Sequence, residues 1–468
     1  MNDISDGAVL RRAQEHAVAF LDGLDKRPIC ATAGADELRR RLGGPLPAQP
    51  SDVLTVIDEL VRDVEGGILG STGGRFFGWV IGGALPVALA ADWLTATWDQ
   101  NAASYACSPA EAVIEEVCGA WLKELLGLPA TASFAFVTGC QMAHTTALAA
   151  ARHKLLRTRG FDVERRGLSA APALRVLATE NRHESILRSV RLLGIGSDAV
   201  ELLPSDDAGG MRLEALAAAL ARGRERPTVV CLQAGDLHSG AFDPFARVSA
   251  LAREAAAWVH VDGAFGLWAA TSGRYRHLLA GVELADSWAT DGHKWLNLPF
   301  DSGFVFVADP DAHRAVFAQP TSYAAATAGV REEKDWNPEW SRRGRAVAAY
   351  AAIRALGRSG IAEIVERCCD FAARLVEGLA ALPGVEVLAR PRINQALVRF
   401  LDAGGDHDRR TDQVIARIQA SGEAWFGGTT WRGMRAMRIS VCNWRTGEGD
   451  IEPVLAVVRR SLGNVTGG

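Results

Sequence analysis

The sequence predicts an α/β fold: a mostly parallel, doubly wound sheet in a large domain, with an N-terminal helical arm and a small α+β C-terminal domain. Three observations carry this. From about residue 130, short β-branched or apolar runs alternate with helix-like stretches, the pattern of a parallel sheet covered on both faces. Two of these runs end in residues able to do chemistry, Trp258-Val259-His260-Val261-Asp262 and Ser287-Trp288-Ala289-Thr290-Asp291-Gly292-His293-Lys294. Ligands of such sheets gather at the carboxyl ends of strands. Finally, the 468 residues are 48% apolar and 23% charged, ordinary values for a globular chain with a sizeable core and two or three domains.

Taken in order, residues 8–22 and 52–65 read as amphipathic helices joined through Gly43-Gly44-Pro45-Leu46-Pro47. An arm that buries so little of itself usually packs on another subunit. Strands are expected at 133–137, 174–179, 228–233, 258–261, 287–290 and 304–307, with helices between most of them, such as 142–156, 213–222 and 248–257. After Arg345 the character changes. Ala/Leu/Arg-rich helical stretches fill 346–382, strand-like pieces follow at 396–401 and 437–441, and a last helix occupies 451–462. The expected boundaries are therefore 1–75 for the arm, 76–345 for the large domain and 346–468 for the small one.

Composition removes several function classes. A net charge of −4 leaves no basic footprint, so nucleic acid is not an expected partner. Eight scattered cysteines, none in Cys-x-x-Cys spacing, read as reduced thiols rather than disulfides or metal ligands. Met1-Asn2-Asp3-Ile4-Ser5-Asp6 is acidic, with no apolar signal core behind it. The longest apolar run, 79–91, is broken by two glycines and Pro86 and is too short to cross a bilayer. A cytoplasmic enzyme without a membrane partner is the expectation.

An acid and an amine converging at one sheet edge suit pyridoxal phosphate (PLP). The amine forms a Schiff base with its aldehyde, and the carboxylate keeps the pyridine nitrogen protonated so that the ring accepts electrons. Alone, Asp262 would be a strand cap and Lys294 a surface lysine. Val137-Thr138-Gly139-Cys140-Gln141 leads from a strand into a helix, whose first N–H groups and positive end can cradle a phosphate.

These stretches resemble the PLP-dependent group II decarboxylases, fold type I enzymes that include aromatic amino acid, histidine and glutamate decarboxylases. The resemblance implies that Lys294 carries the cofactor, that Asp262 pairs with its ring nitrogen, and that Asp291 and His293 line the phosphate. Gly139 suits the family's small-residue turn, while Cys140 and Gln141 are departures. Glu180-Asn181-Arg182-His183-Glu184-Ser185 resembles the segment whose histidine stacks on the pyridine, and the separation of His183 and Asp262, 79 residues apart, matches the family's own interval. In Gly235-Asp236-Leu237-His238, Asp236 and Leu237 replace the family's threonines; His238 either supplies a substitute contact or is a solvated loop histidine. Ser108-Pro109-Ala110, Trp340-Ser341-Arg342-Arg343-Gly344-Arg345 and Arg438-Ile439-Ser440-Val441-Cys442-Asn443 extend the likeness over roughly residues 70–465. An intertwined homodimer with its active site at the interface is implied.

The implied reaction is decarboxylation of an amino acid through the Lys294 Schiff base and a quinonoid, giving an amine. One departure bears on it. The family's proton-donating loop tyrosine precedes the Arg-Arg pair by a few residues, yet 329–339 holds no tyrosine, and Glu333 falls at the ungapped position. Tyr323, one of only four tyrosines, matches another recurrent tyrosine of that loop, or is a packing residue. Without prompt protonation, oxygen can intercept the quinonoid and divert it to an aldehyde, the runner-up outcome. A transaminase or an inactive PLP-fold scaffold are the remaining alternatives. Phe76, Phe77, Trp79 and the stretch from Tyr105 to Pro109 either form a pocket for an aromatic or apolar amino acid or belong to a hydrophobic interface.

Overall fold

Strand formation follows the apolar runs. The computed structural model describes residues 5–319 and 329–463. Its larger sheet contains β1 (Ser133–Val137), β2 (Arg175–Thr179), β3 (Val200–Leu203), β4 (Thr228–Gln233), β5 (Trp258–Asp262), β6 (Ser287–Asp291) and β7 (Gly303–Val307). The spatial order is β1-β7-β6-β5-β4-β2-β3. All neighbours pair in parallel except β7, which runs against β1 and β6. Every residue of β1, β2 and β4 to β7 is buried, as expected for strands covered by helices on both faces. The fold is thus the expected α/β one, with two differences. The expected strand at 304–307 is antiparallel, and β3, an edge strand only partly buried, was not foreseen.

Two glycine contacts decide how tightly the loops at the carboxyl edge can close. Val137 pairs with Gly303, and a Cβ on Gly303 would strike the backbone of Gly139. The turn after β1 can therefore lie directly on β7. Likewise a Cβ on Gly82 would strike the Lys294 carbonyl. The extended segment ahead of helix Pro86–Trp98 presses on the lysine loop there, with Gly83 N–H donating to Asn297 Oδ1 at 2.7 Å and Leu85 N–H to the Asn297 carbonyl at 2.8 Å.

The second sheet is antiparallel: β8 (Val385–Ala389), β9 (Gln395–Phe400), β10 (Gly427–Trp431) and β11 (Met434–Ser440), in the order β10-β11-β9-β8. Two of its four strands correspond to the expected pieces at 396–401 and 437–441. The other two were not foreseen, and β10, reading Gly-Gly-Thr-Thr-Trp, lacks a strong apolar pattern. The long helix Ala346–Ala380 leading to it is broken at Gly357, whose φ of 60° interrupts the helical ladder. At the N-terminus, helices Asp6–Asp22, Ala35–Leu42 and Val53–Val64 contain no buried residue. No helix among the described residues is long and apolar enough to cross a membrane.

Candidate active site

The carboxyl ends of β1, β5 and β6 open into a cavity of about 1290 Å³. Asp262, the last residue of β5, and Lys294, three residues past β6, both line it. So do His183, Gly139, Cys140 and Gln141, with Asp291, the last residue of β6, and His293 from the loop after it. Eight of the residues singled out from the sequence are therefore brought to one wall-to-wall space, although they are spread over 156 positions (294 − 139 = 155 intervals).

Charge is distributed unevenly across it. Burial pushes the Asp262 carboxyl up, but His144, His183 and Lys294 outweigh this and hold it below the ordinary carboxylate range. Asp262 is therefore an anion in a nearly dry place, 7% exposed. Its Oδ1 accepts the Ala264 N–H at 3.2 Å, and its Oδ2 lies 3.5 Å from His144 Nε2. Burial likewise lowers the Lys294 ammonium, but its neighbours, Asp291 foremost and then Cys140 and Asp262, leave it above its usual value. Lys294 Nζ sits 3.0 Å from Asp291 Oδ2.

Asp291 has a second partner. Its Oδ1 accepts the N–H of Cys140 at 2.6 Å, at the start of helix Cys140–Arg157. This is the positive helix end where an anion is favoured. Gly139 keeps the place open: a Cβ there would come to 3.1 Å from His293 Cε1 and 3.3 Å from Asp291 Oδ1. An anionic group bound here would compete with the Asp291 carboxylate for the Cys140 amide.

His183 caps helix Glu184–Leu192, with Nδ1 accepting the Ser185 N–H at 3.2 Å. Its proton therefore belongs on Nε2. Burial lowers its pKa below 6.5, so the ring is neutral at pH 7 and can stack on an electron-poor heterocycle. His293 stacks on Phe300 with ring centroids 4.4 Å apart.

Other expected residues lie elsewhere. Phe77 is fully buried and stacked on Phe426 at 5.0 Å, so it belongs to the core. Phe76 stacks on Trp425 at 4.8 Å, while Trp79 does line the cavity. Tyr105 is not among the lining residues, nor is His238, whose Nδ1 lies 3.4 Å from Thr429 Oγ1. Glu333 is fully buried away from the cavity. Desolvation and the Glu115 charge push its carboxyl up to about 7. Tyr323 lies outside the described residues.

The sequence reading passed over the function of one residue that the structure makes conspicuous. Arg438, on β11, reaches the same cavity and is 7% exposed. Its side chain has no hydrogen bond or ion pair within the described residues. Burial lowers its pKa only to about 10, so it stays cationic. A buried, unpaired guanidinium is expensive unless an anion meets it. The only signal in the sequence was the Arg438-Ile439-Ser440 stretch, read as likeness alone.

The donor set fits PLP: an amine and an ionised carboxylate at one sheet edge, a neutral imidazole, and a glycine-lined helix end. Comparison with known proteins agrees. The chain is 26% identical over 419 residues to the L-tyrosine/L-DOPA decarboxylase 2 of Lophophora williamsii, covering 86% of this chain and 78% of the relative. It is 27% identical over 382 residues to a 4-hydroxyphenylacetaldehyde synthase of Rhodiola rosea, covering 77% and 75%. The crystal structure of Oryza sativa TDC with PLP and tryptamine superposes with a TM-score of 0.93 over 100% of both chains at 21% identity, a likeness of fold. The sequence profile of the pyridoxal-dependent decarboxylase conserved domain matches residues 36–401, most of the chain, and on that match the protein belongs to the PLP-dependent group II decarboxylases.

Proposed function

We propose that this protein removes CO₂ from an L-amino acid, aromatic or apolar by preference, to give the primary amine. The observation that carries the reading is the meeting of Lys294, Asp262 and Arg438 at one cavity. When bound, PLP supplies an aldehyde that takes up the substrate amine and a ring that accepts the electron pair left by CO₂. Asp262 would hold a proton on the ring nitrogen. Lys294, relieved of Asp291, would give way to the substrate amine and later release the product amine by taking its place again. His183 would lie against the ring, with its Nε2 proton available. Arg438 would meet the substrate carboxylate and help set the bond to be broken across the ring plane. Trp79 and Phe300, both lining the cavity, supply apolar surface for the side chain, and the tyrosine/DOPA-acting relative supports the aromatic preference.

Oxidative decarboxylation to an aldehyde is the second reading. It is favoured by the absence of tyrosine from 329–339, by the burial of Glu333 outside the cavity, and by the aldehyde synthase relative. The arm suits a homodimer: Val53, Val56 and Leu60 form an exposed apolar stripe at helical spacing. Mass-spectrometric product analysis of the PLP-loaded protein with a panel of amino acids, with and without oxygen, tests both reactions. Amine and CO₂ indifferent to oxygen are expected. Aldehyde and peroxide formed only in oxygen would establish the second reading, and no turnover of any amino acid would sink both.

Replacing Arg438 by Met should lower kcat/KM roughly 10- to 150-fold, because a hydrogen bond to a charged group contributes about 1.5–3 kcal/mol. Steady-state kinetics check this. An unchanged kcat/KM would remove the arginine from substrate recognition.

A further inference from the structure

A file of buried polar side chains ends on Asp262. His144 comes from helix Cys140–Arg157, His260 and Trp258 from β5, and Ser287 from β6. His144, His260 and Ser287 are 0% exposed. Trp258 Nε1 donates to Ser287 Oγ at 2.8 Å, and Ser287 Oγ lies 2.9 Å from His260 Nδ1. His260 Nε2 lies 2.9 Å from His144 Nδ1, and His144 Nε2 is 3.5 Å from Asp262 Oδ2. The last gap is at the outer limit of a hydrogen bond, and among the described residues His144 Nε2 has no other partner.

The two ends of this file fix its protons. An indole N–H can only donate and an ionised carboxylate can only accept. With both imidazoles neutral, one order satisfies every contact. The indole donates to Ser287 Oγ, the hydroxyl to His260 Nδ1, His260 Nε2–H to His144 Nδ1, and His144 Nε2–H to Asp262. Burial brings the His260 pKa down to about 3, so that ring is neutral at pH 7. Reversing the order would aim a lone pair of His144 at the carboxylate. The remaining oxygen, Oδ1, already holds the Ala264 N–H.

We propose that His144 is a positioning residue for Asp262: backed by His260, Ser287 and Trp258, it aims an N–H at Oδ2 and so fixes the carboxylate that meets the cofactor's ring nitrogen. Substrate need not touch any of the four. Without that N–H, a buried carboxylate has one fewer donor and tends toward its neutral form. It would then hold the ring proton less well. The inference rests on the reading of Asp262 given above, and the tests separate the two.

The first test is ¹⁵N NMR of histidine-labelled apo- and holoprotein. Neutral His144 and His260, each protonated on Nε2 at pH 7, are expected. Either ring cationic, or protonated on Nδ1 alone, would overturn the proposal. The second loads PLP labelled with ¹⁵N at the ring nitrogen into His144→Leu and His144→Gln, the glutamine retaining an N–H donor. His144→Leu should shift the ring-nitrogen resonance toward the unprotonated value and weaken PLP binding about 10-fold or more, in the manner of lost outer-shell partners. His144→Gln should recover most of both. A wild-type resonance in His144→Leu, or no recovery in His144→Gln, would overturn it. Should His144→Leu not fold, the tautomers of the wild-type protein decide. An Asp262→Asn protein with a wild-type ring resonance would instead defeat the reading of Asp262, whatever the tautomers show.

Discussion

Lys294→Ala should abolish turnover, with kcat falling at least about 10⁴-fold, equivalent to roughly 5.5 kcal/mol of lost transition-state stabilisation. No other amine is placed to take over. Among the described residues, Lys294 is the only lysine lining the cavity, and its ammonium is steered there by Asp291 at 3.0 Å. The variant should still fold. The loop is held by groups other than the amine: the Gly83 N–H on Asn297 Oδ1, the Leu85 N–H on the Asn297 carbonyl, and the Gly82 backbone packed on the Lys294 carbonyl. Two measurements check this. Borohydride reduction of the wild-type holoprotein should fix cofactor mass on the peptide containing Lys294 and on no peptide of the variant. Thermal melts of the two apoproteins should coincide within a few degrees. Residual activity above about 1% would move the nucleophile elsewhere.

The edge of this cavity could be foreseen where chemistry and backbone pattern coincide. β5 and β6 are uninterrupted buried runs that end in an acid and just short of a lysine, so pattern and function pointed the same way. The direction of β7 could not be read, because a strand buried on both faces is apolar whichever way it runs. β3 is half exposed, and β10 is rich in glycine and threonine, so neither carries a strong strand signal. His144 was invisible for a different reason. A lone histidine in an alanine-rich helix has no pattern, and its partner His260 is 116 residues away. Arg438 was quoted as part of a motif, but what gives it meaning is its burial at the cavity wall with no partner among the described residues, which only packing reveals. Phe77 shows the converse error. An aromatic near a site is equally at home in the core, and stacking on Phe426 put it there.

Asp262→Asn isolates charge from shape. The amide oxygen can still accept the Ala264 N–H, and the side chain is nearly the same size. The amide nitrogen that replaces Oδ2 cannot accept the His144 N–H, so the substitution removes the negative charge and that one contact while keeping the shape. A nearby opposite charge moves a pKa by about 1–3 units, each unit being about 1.4 kcal/mol. Losing it should leave the ring nitrogen largely unprotonated, and kcat should fall roughly 10²–10³-fold. KM should change less, because the substrate carboxylate would be met by Arg438 on β11 rather than by Asp262. The sign with pH follows from the same argument. The carboxyl is held below the usual carboxylate range, so the wild-type enzyme keeps this charge at every pH at which it is folded and active. The acid limb of its kcat profile must then come from another group, and His183, lowered beneath 6.5 by burial, is the cavity residue proposed above to lie against the ring. In Asp262→Asn the acid limb should persist while the plateau drops. A plateau within 10-fold of wild type would mean that the ring proton is held by something other than this carboxylate.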